Sequence, residues 1–142
     1  MFLYTLSINT LSCTVNAKCD GPSGRRLSVS INNISLRCRR TSVLSAYYRT
    51  INGVYRDDFS DVPPLRFNYT ASGLNRTLKT LDVGMEVTML KHNETMELVF
   101  QATNLVAGID HLMHLHGHSF YVVGWGFGNF KRSIRCDGFV EL

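Results

Sequence analysis

The chain has 142 residues, of which 44% are hydrophobic and 18% charged; this excludes wholesale disorder and suits one domain with a buried core. No apolar run reaches the roughly 18 residues of a membrane-spanning helix, so no membrane partner is expected. The formal charge is +4 and the excess of Lys and Arg falls before residue 57, but Arg25, Arg26, Arg37, Arg39, Arg40, Arg49 and Arg56 fit no nucleic-acid signature and are expected as solvated side chains.

In chain order, the first signal is alternation of apolar and polar residues over 2–9, which predicts a strand. Residues 27–36 alternate in the same way and predict another, with Val29, Ile31 and Ile34 facing the core. Thr41 is placed to cap a helical turn over 42–48, and 57–64, with Pro63 and Pro64, reads as a loop. Strands are predicted over 85–90 and 95–102, joined by a hairpin turn at Lys91-His92-Asn93-Glu94. A last strand is predicted over 113–123, before a glycine-punctuated turn at 124–129. Several short strands separated by turn signals predict an all-β sandwich or barrel.

Two features bear on compartment. Cys13 and Cys19 flank a short polar stretch, and a disulfide-closed loop and two reduced thiols are both open on spacing alone. Four N-x-S/T sequons, at Asn33, Asn68, Asn75 and Asn93, favour the secretory route and N-glycosylation. The amino terminus lacks a basic segment and a cleavage site, so a secreted body without a signal peptide implies that Met1 is not the natural start.

The densest chemistry lies in His111-Leu-Met-His114-Leu-His116-Gly-His118. Neutral imidazole is the commonest metal-ligating side chain. In a strand, His114 and His116 share a face about 6.6 Å apart and are able to serve one metal or two adjacent ones. His111, three positions earlier, points to the other face or sits in an entry loop. His118 and Asp110 are candidates for the shell around the ligands, against a packed histidine and a turn residue. His92, in the predicted turn, reads as solvated. A zinc protease needs two His at helical spacing around a Glu, which is absent; copper and zinc both remain open on spacing.

The run from His111 to Gly124 resembles the third copper-binding motif of the multicopper oxidases, and of the plant laccases in particular. Further stretches agree: Ser30-Ile-Asn-Asn-Ile-Ser-Leu, Gly53-Val-Tyr, Pro63-Pro64 leading to Phe67-Asn-Tyr-Thr, and Gly124-Trp-Gly-Phe-Gly-Asn-Phe. The likeness covers about residues 2–130. It implies a cupredoxin-like (plastocyanin-like) Greek-key β-sandwich, here incomplete. Residues 1–40 would close a second such domain and its linker, 41–130 would form part of a third, and 131–142 would be a divergent tail. It implies that His111 ligates a type 1 copper, His114 a type 2 copper and His116 one of a type 3 pair. It also implies a secreted, apoplastic oxidoreductase that oxidises lignin-related phenols and reduces dioxygen to water, with four coppers in the full complement.

The sequence also departs from that family. None of Cys13, Cys19, Cys38 or Cys136 stands between histidines, so no type 1 thiolate is evident, and Leu112 replaces a usual proline. The further histidine motifs are not found here. The expectation is therefore little or no oxidase activity from this chain alone, and poor solubility. The alternative is a non-catalytic copper- or zinc-binding β-module built on His111, His114 and His116.

Overall fold

The structure is a computed structural model and describes residues 1–15 and 17–132. Its centre is β1 (Phe2–Leu11). β1 pairs antiparallel with β2 (Arg26–Ile31) and parallel with β5 (Leu98–Ala102). β2 continues antiparallel into β3 (Ile34–Leu36), and β3 pairs parallel with β4 (Asp82–Gly84). The result is one mixed five-stranded sheet in the order β4-β3-β2-β1-β5. The all-β expectation holds, and strands from both sides of residue 40 share this sheet.

The single strand expected over 27–36 is instead a tight hairpin. Asn32 and Asn33 take φ of 48° and 67°, the left-handed pair that a two-residue hairpin turn needs and that Asn tolerates better than most residues. The alternation continues on both sides of the turn, so periodicity alone conceals it. Asn32 also extends the ladder with its side chain. Its N–H donates to Thr5 O at 2.9 Å, and its Oδ1 accepts from Thr5 N at 2.9 Å.

On β2 the faces of the sheet are the reverse of expectation, although Leu6 on the apolar face is buried. Cross-strand partners share a face, and the register aligns Leu6 with Ile31, Ile8 with Val29 and Tyr4 with Phe100. That face is apolar, yet Val29 is 55% exposed while its neighbour Ser30 is 2% exposed. The buried face is polar: Thr5, Ser7, Asn9, Ser30, Gln101 and Thr103 all lie on it. Burying polar groups is costly unless each finds a partner, and here they do. Ser30 Oγ donates to Asn9 Oδ1 at 2.7 Å, Asn9 Nδ2 to Asn33 Oδ1 at 3.2 Å, and Thr103 Oγ1 to Ser7 Oγ at 2.8 Å. No buried side-chain nitrogen or oxygen lacks a partner among the described residues. Pro64, Leu65, Phe67, Leu78 and Leu105 meet Thr5, Ser7 and Asn33 around a cavity the size of about one water. On the apolar face, Tyr4 packs against Phe2, Phe59 and Phe100 with ring centroids 6.0, 5.3 and 6.3 Å away.

The remaining elements are short. The expected helical turn is α1 (Val43–Tyr48), capped by Ser42 rather than Thr41, with Ser42 Oγ accepting from Ser45 N at 3.1 Å. Two 3-10 turns, Pro22–Gly24 and Arg76–Lys79, were not foreseen. Residues 57–64 form the expected loop. The expected strand over 85–90 reduces to one bridge between Arg56 and Glu86, whose side chains also form an ion pair. The turn at 91–94 does form, with Glu94 N donating to Lys91 O at 3.2 Å and Asn93 at φ 60°, but its first flank is irregular and its second becomes strand only at Leu98. Residues 113–123 are not a strand: they carry no ladder, and His116-Gly117 is a turn. Strand conformation needs a partner edge, and no described strand pairs with this segment. Cys13 and Cys19 are joined in a disulfide, and Cys38 is a free, exposed thiol. Cys136 and most of the expected divergent tail lie outside the described residues.

Candidate metal centre

The clustered histidines lie on the irregular segment that follows β5. His111 is half-buried, while His114, His116 and His118 are exposed. The rings of His114 and His116 meet edge to face, with centroids 5.9 Å apart and an interplanar angle of 85°. The two-residue spacing therefore brings these imidazoles together although the backbone is not a strand. His118 touches the segment through its backbone, its N–H donating to Leu115 O at 3.2 Å. Asp110 is exposed and lies in irregular backbone. His92 is exposed in its turn, as expected.

Could these residues hold a metal? Neighbouring imidazoles free of ion pairs among the described residues are suitable donors for copper or zinc. A closed site needs three or four such donors, and no three His, Cys, Asp or Glu side chains converge among the described residues. His114 and His116 thus supply two donors of a kind that copper takes, and the described residues do not bring a third to them.

The ends of the histidine segment are held by residues that sequence reasoning missed. Tyr69 O accepts from Asn104 N at 2.7 Å, and Tyr69 N donates to Asn129 Oδ1 at 2.8 Å. Asn129 Nδ2 donates to Asn68 Oδ1 at 2.7 Å. Gln101, on β5, donates from Nε2 to Gly128 O at 3.1 Å and accepts from Phe130 N at 2.6 Å. Tyr69 is buried, its ring 4.7 Å from that of Phe67 and its hydroxyl donating to Leu65 O at 3.3 Å. Burial raises its pKa above the ordinary tyrosine value, and the nearby Arg66 charge opposes that rise. One signal was present in the sequence: Gly128-Asn129 closes a glycine-rich turn, where an Asn side chain commonly bonds to backbone.

The sequon asparagines differ in their surroundings. Asn68, Asn75 and Asn93 are exposed, whereas Asn33 is half-buried against the covering loop. Asn75 Oδ1 accepts from Thr77 N at 3.1 Å.

Comparison with known proteins places this geometry in context. The chain is 45% identical to Laccase-14 of Arabidopsis thaliana over 130 residues, covering 92% of the chain and 22% of the relative. Laccase-11 of Arabidopsis thaliana is 45% identical over 121 residues, covering 85% of the chain and 22% of the relative. Putative laccase-17 of Oryza sativa subsp. japonica is 39% identical over 141 residues, covering 96% of the chain and 25% of the relative. The chain therefore spans a quarter or less of the length of these relatives. Residues 58–137, more than half of the chain, match the multicopper oxidase family. That match takes in the histidine segment and Tyr69, Gln101 and Asn129 that hold its base, and with the all-β sheet it shows that the chain belongs to the multicopper oxidases.

Proposed function

We propose that the chain is part of a laccase-type copper oxidoreductase, with phenols as electron donors and dioxygen as acceptor. The observation that carries this is the family match running through a segment that brings His114 and His116 side by side. On this reading His111 is a ligand of the substrate-oxidising type 1 copper, His114 of the type 2 copper and His116 of a type 3 copper. Copper held there would supply one-electron redox chemistry between a phenol and dioxygen. The chain's own residues supply imidazole donors and, through Gln101 and Asn129, a fixed base for the segment that bears them. His118 and Asp110 flank the three ligands.

The donors among the described residues do not complete a site, and on this reading little or no oxidase activity is expected of the isolated chain. The check is phenol-dependent oxygen uptake by the purified chain after copper loading. No uptake and no blue absorption band are expected; turnover with such a band would sink this part of the reading. A non-catalytic copper- or zinc-binding module is favoured by one observation, the exposure of His114 and His116. It predicts stoichiometric metal that is lost in His114→Ala and His116→Ala.

Secretion to the apoplast is part of the same proposal and is supported by the Cys13–Cys19 disulfide and the sequons. The exposed Asn68, Asn75 and Asn93 then carry glycans and the half-buried Asn33 does not. Glycopeptide mapping of the chain secreted from a eukaryotic host tests this; occupancy of Asn33 would count against it. For the longer protein we propose boundaries near residues 40 and 130. The sheet shared across residue 40 argues that any division there runs through one folded body, and limited proteolysis decides.

A further inference from the structure

The histidine segment has no β ladder of its own among the described residues, so its order rests on its two ends. Both ends meet Tyr69. The entry end donates from Asn104 N to the Tyr69 carbonyl, and the return end accepts the Tyr69 N–H on Asn129 Oδ1. Gln101 holds the return end a second time, from both sides of its amide. Tyr69 and Gln101 are 9% and 6% exposed, and hydrogen bonds shielded from water are harder to exchange for solvent. Tyr69 and Gln101 take hold of the segment mainly through backbone groups or Asn129, so the grip is independent of the histidines themselves.

We infer that Tyr69, Gln101 and Asn129 form a clamp that closes the base of the histidine segment and sets where His111, His114 and His116 are presented. Gln101 and Asn129 are positioning residues. The physical reason is entropic. A long irregular segment whose two ends are held together has fewer conformations than one held at one end only. The fall in entropy is taken up at the clamp and not at the ligands. Its relevance to metal binding rests on the reading of those histidines as copper ligands, but the clamp itself does not.

The test is NMR of the metal-free chain carrying Leu27→Thr and Val29→Thr, which lie on the sheet face opposite Gln101 and reduce association, reading the histidine imidazole signals and backbone amide exchange. In Asn129→Ala, exchange at the Tyr69 amide should rise about tenfold, the cost of one hydrogen bond. The signals of His111, His114 and His116 should converge, while amides of β1 and β2 keep their protection. Asn129→Asp should restore the dispersion, since a carboxylate oxygen also accepts from Tyr69 N, and turning the Asn68 amide, whose Oδ1 now accepts from Asn129 Nδ2 and Thr70 Oγ1, lets its Nδ2 donate to the carboxylate and to that hydroxyl. Gln101→Ala should act in the same direction as Asn129→Ala. Unchanged histidine signals in both alanine variants with the sheet intact would overturn the clamp. If Asn129→Ala unfolds the chain, the chain with Asn129 in place still decides: the amides of Tyr69, Asn104 and Phe130 should open as one unit, and unrelated exchange rates would overturn it. Copper(II) added to that same chain separates the two readings. Failure to broaden the three histidine signals would remove the ligand assignment and leave the clamp standing.

Discussion

At the scale of single residues, the polar side chains carry the structure. Asn32 is 1% exposed and uses its whole amide, Oδ1 toward Thr5 and Nδ2 toward Ser60 O at 3.0 Å. In the sequence it is one polar position in an alternating run, which predicts an outward side chain. Hydropathy cannot distinguish an Asn that faces water from one that completes a ladder. The same blindness applies to Tyr69, whose position before a sequon threonine gave no sign of burial. Its burial leads to a pH prediction. The folded-state pKa lies above the unfolded value of about 10, so as pH rises the unfolded chain releases its proton first. Stability is then undiminished below about pH 10 and falls as pH rises through that value toward the folded pKa. Tyr69→Phe loses the bond to Leu65 O, about 1 kcal/mol at neutral pH, but also loses the titrating group. Urea midpoints of the two proteins should therefore approach one another between about pH 8 and about pH 11. A gap that stays constant across this range would refute the assignment.

At the scale of elements, strands were legible where the sequence holds both alternation and a partner. β1 was foreseen because Phe2, Tyr4, Leu6 and Ile8 alternate cleanly with shorter or polar residues, and β2 and β5 lie ready to pair with it. Residues 113–123 show equal β-propensity and yet stay irregular, because pairing is a property of two segments and not one. The histidine pair was legible for a different reason: a two-residue spacing brings side chains near each other in several extended backbones. The Asn32-Asn33 turn is the most testable of these elements. Asn33 sits at φ 67°, where a β-branched side chain is strained by about 1–3 kcal/mol and glycine is at ease. Asn33→Val should lower the unfolding midpoint sharply. Asn33→Gly should cost only the hydrogen bond from Asn9. Equal midpoints for the two variants would mean that the turn does not hold this conformation in solution.

At the scale of the whole molecule, the covered face is polar and the apolar face is left largely open. Leu27, Val29, Ile31, Leu36 and Phe100 are 54, 55, 40, 69 and 41% exposed, and the register puts them on one side of the sheet. The histidine segment adds Phe120, Tyr121, Trp125 and Phe127, all exposed. Exposed apolar surface of this kind drives association, and a β-prone run without charge or proline, such as 119–125, adds a route through strand pairing. Sequence reasoning expected poor solubility and assigned Val29 and Ile31 to a core; the sheet instead leaves both exposed. The isolated chain should therefore be oligomeric by light scattering at micromolar concentration and should bind a hydrophobic dye. Leu27→Thr with Val29→Thr should reduce both signals. Neither residue contributes to the polar network on the opposite face, so threonine, which also suits strands, should leave the sheet and the Cys13–Cys19 disulfide in place. A monomeric parent chain with a sharp cooperative melt would instead mean that the open face is covered in solution by the chain's own residues.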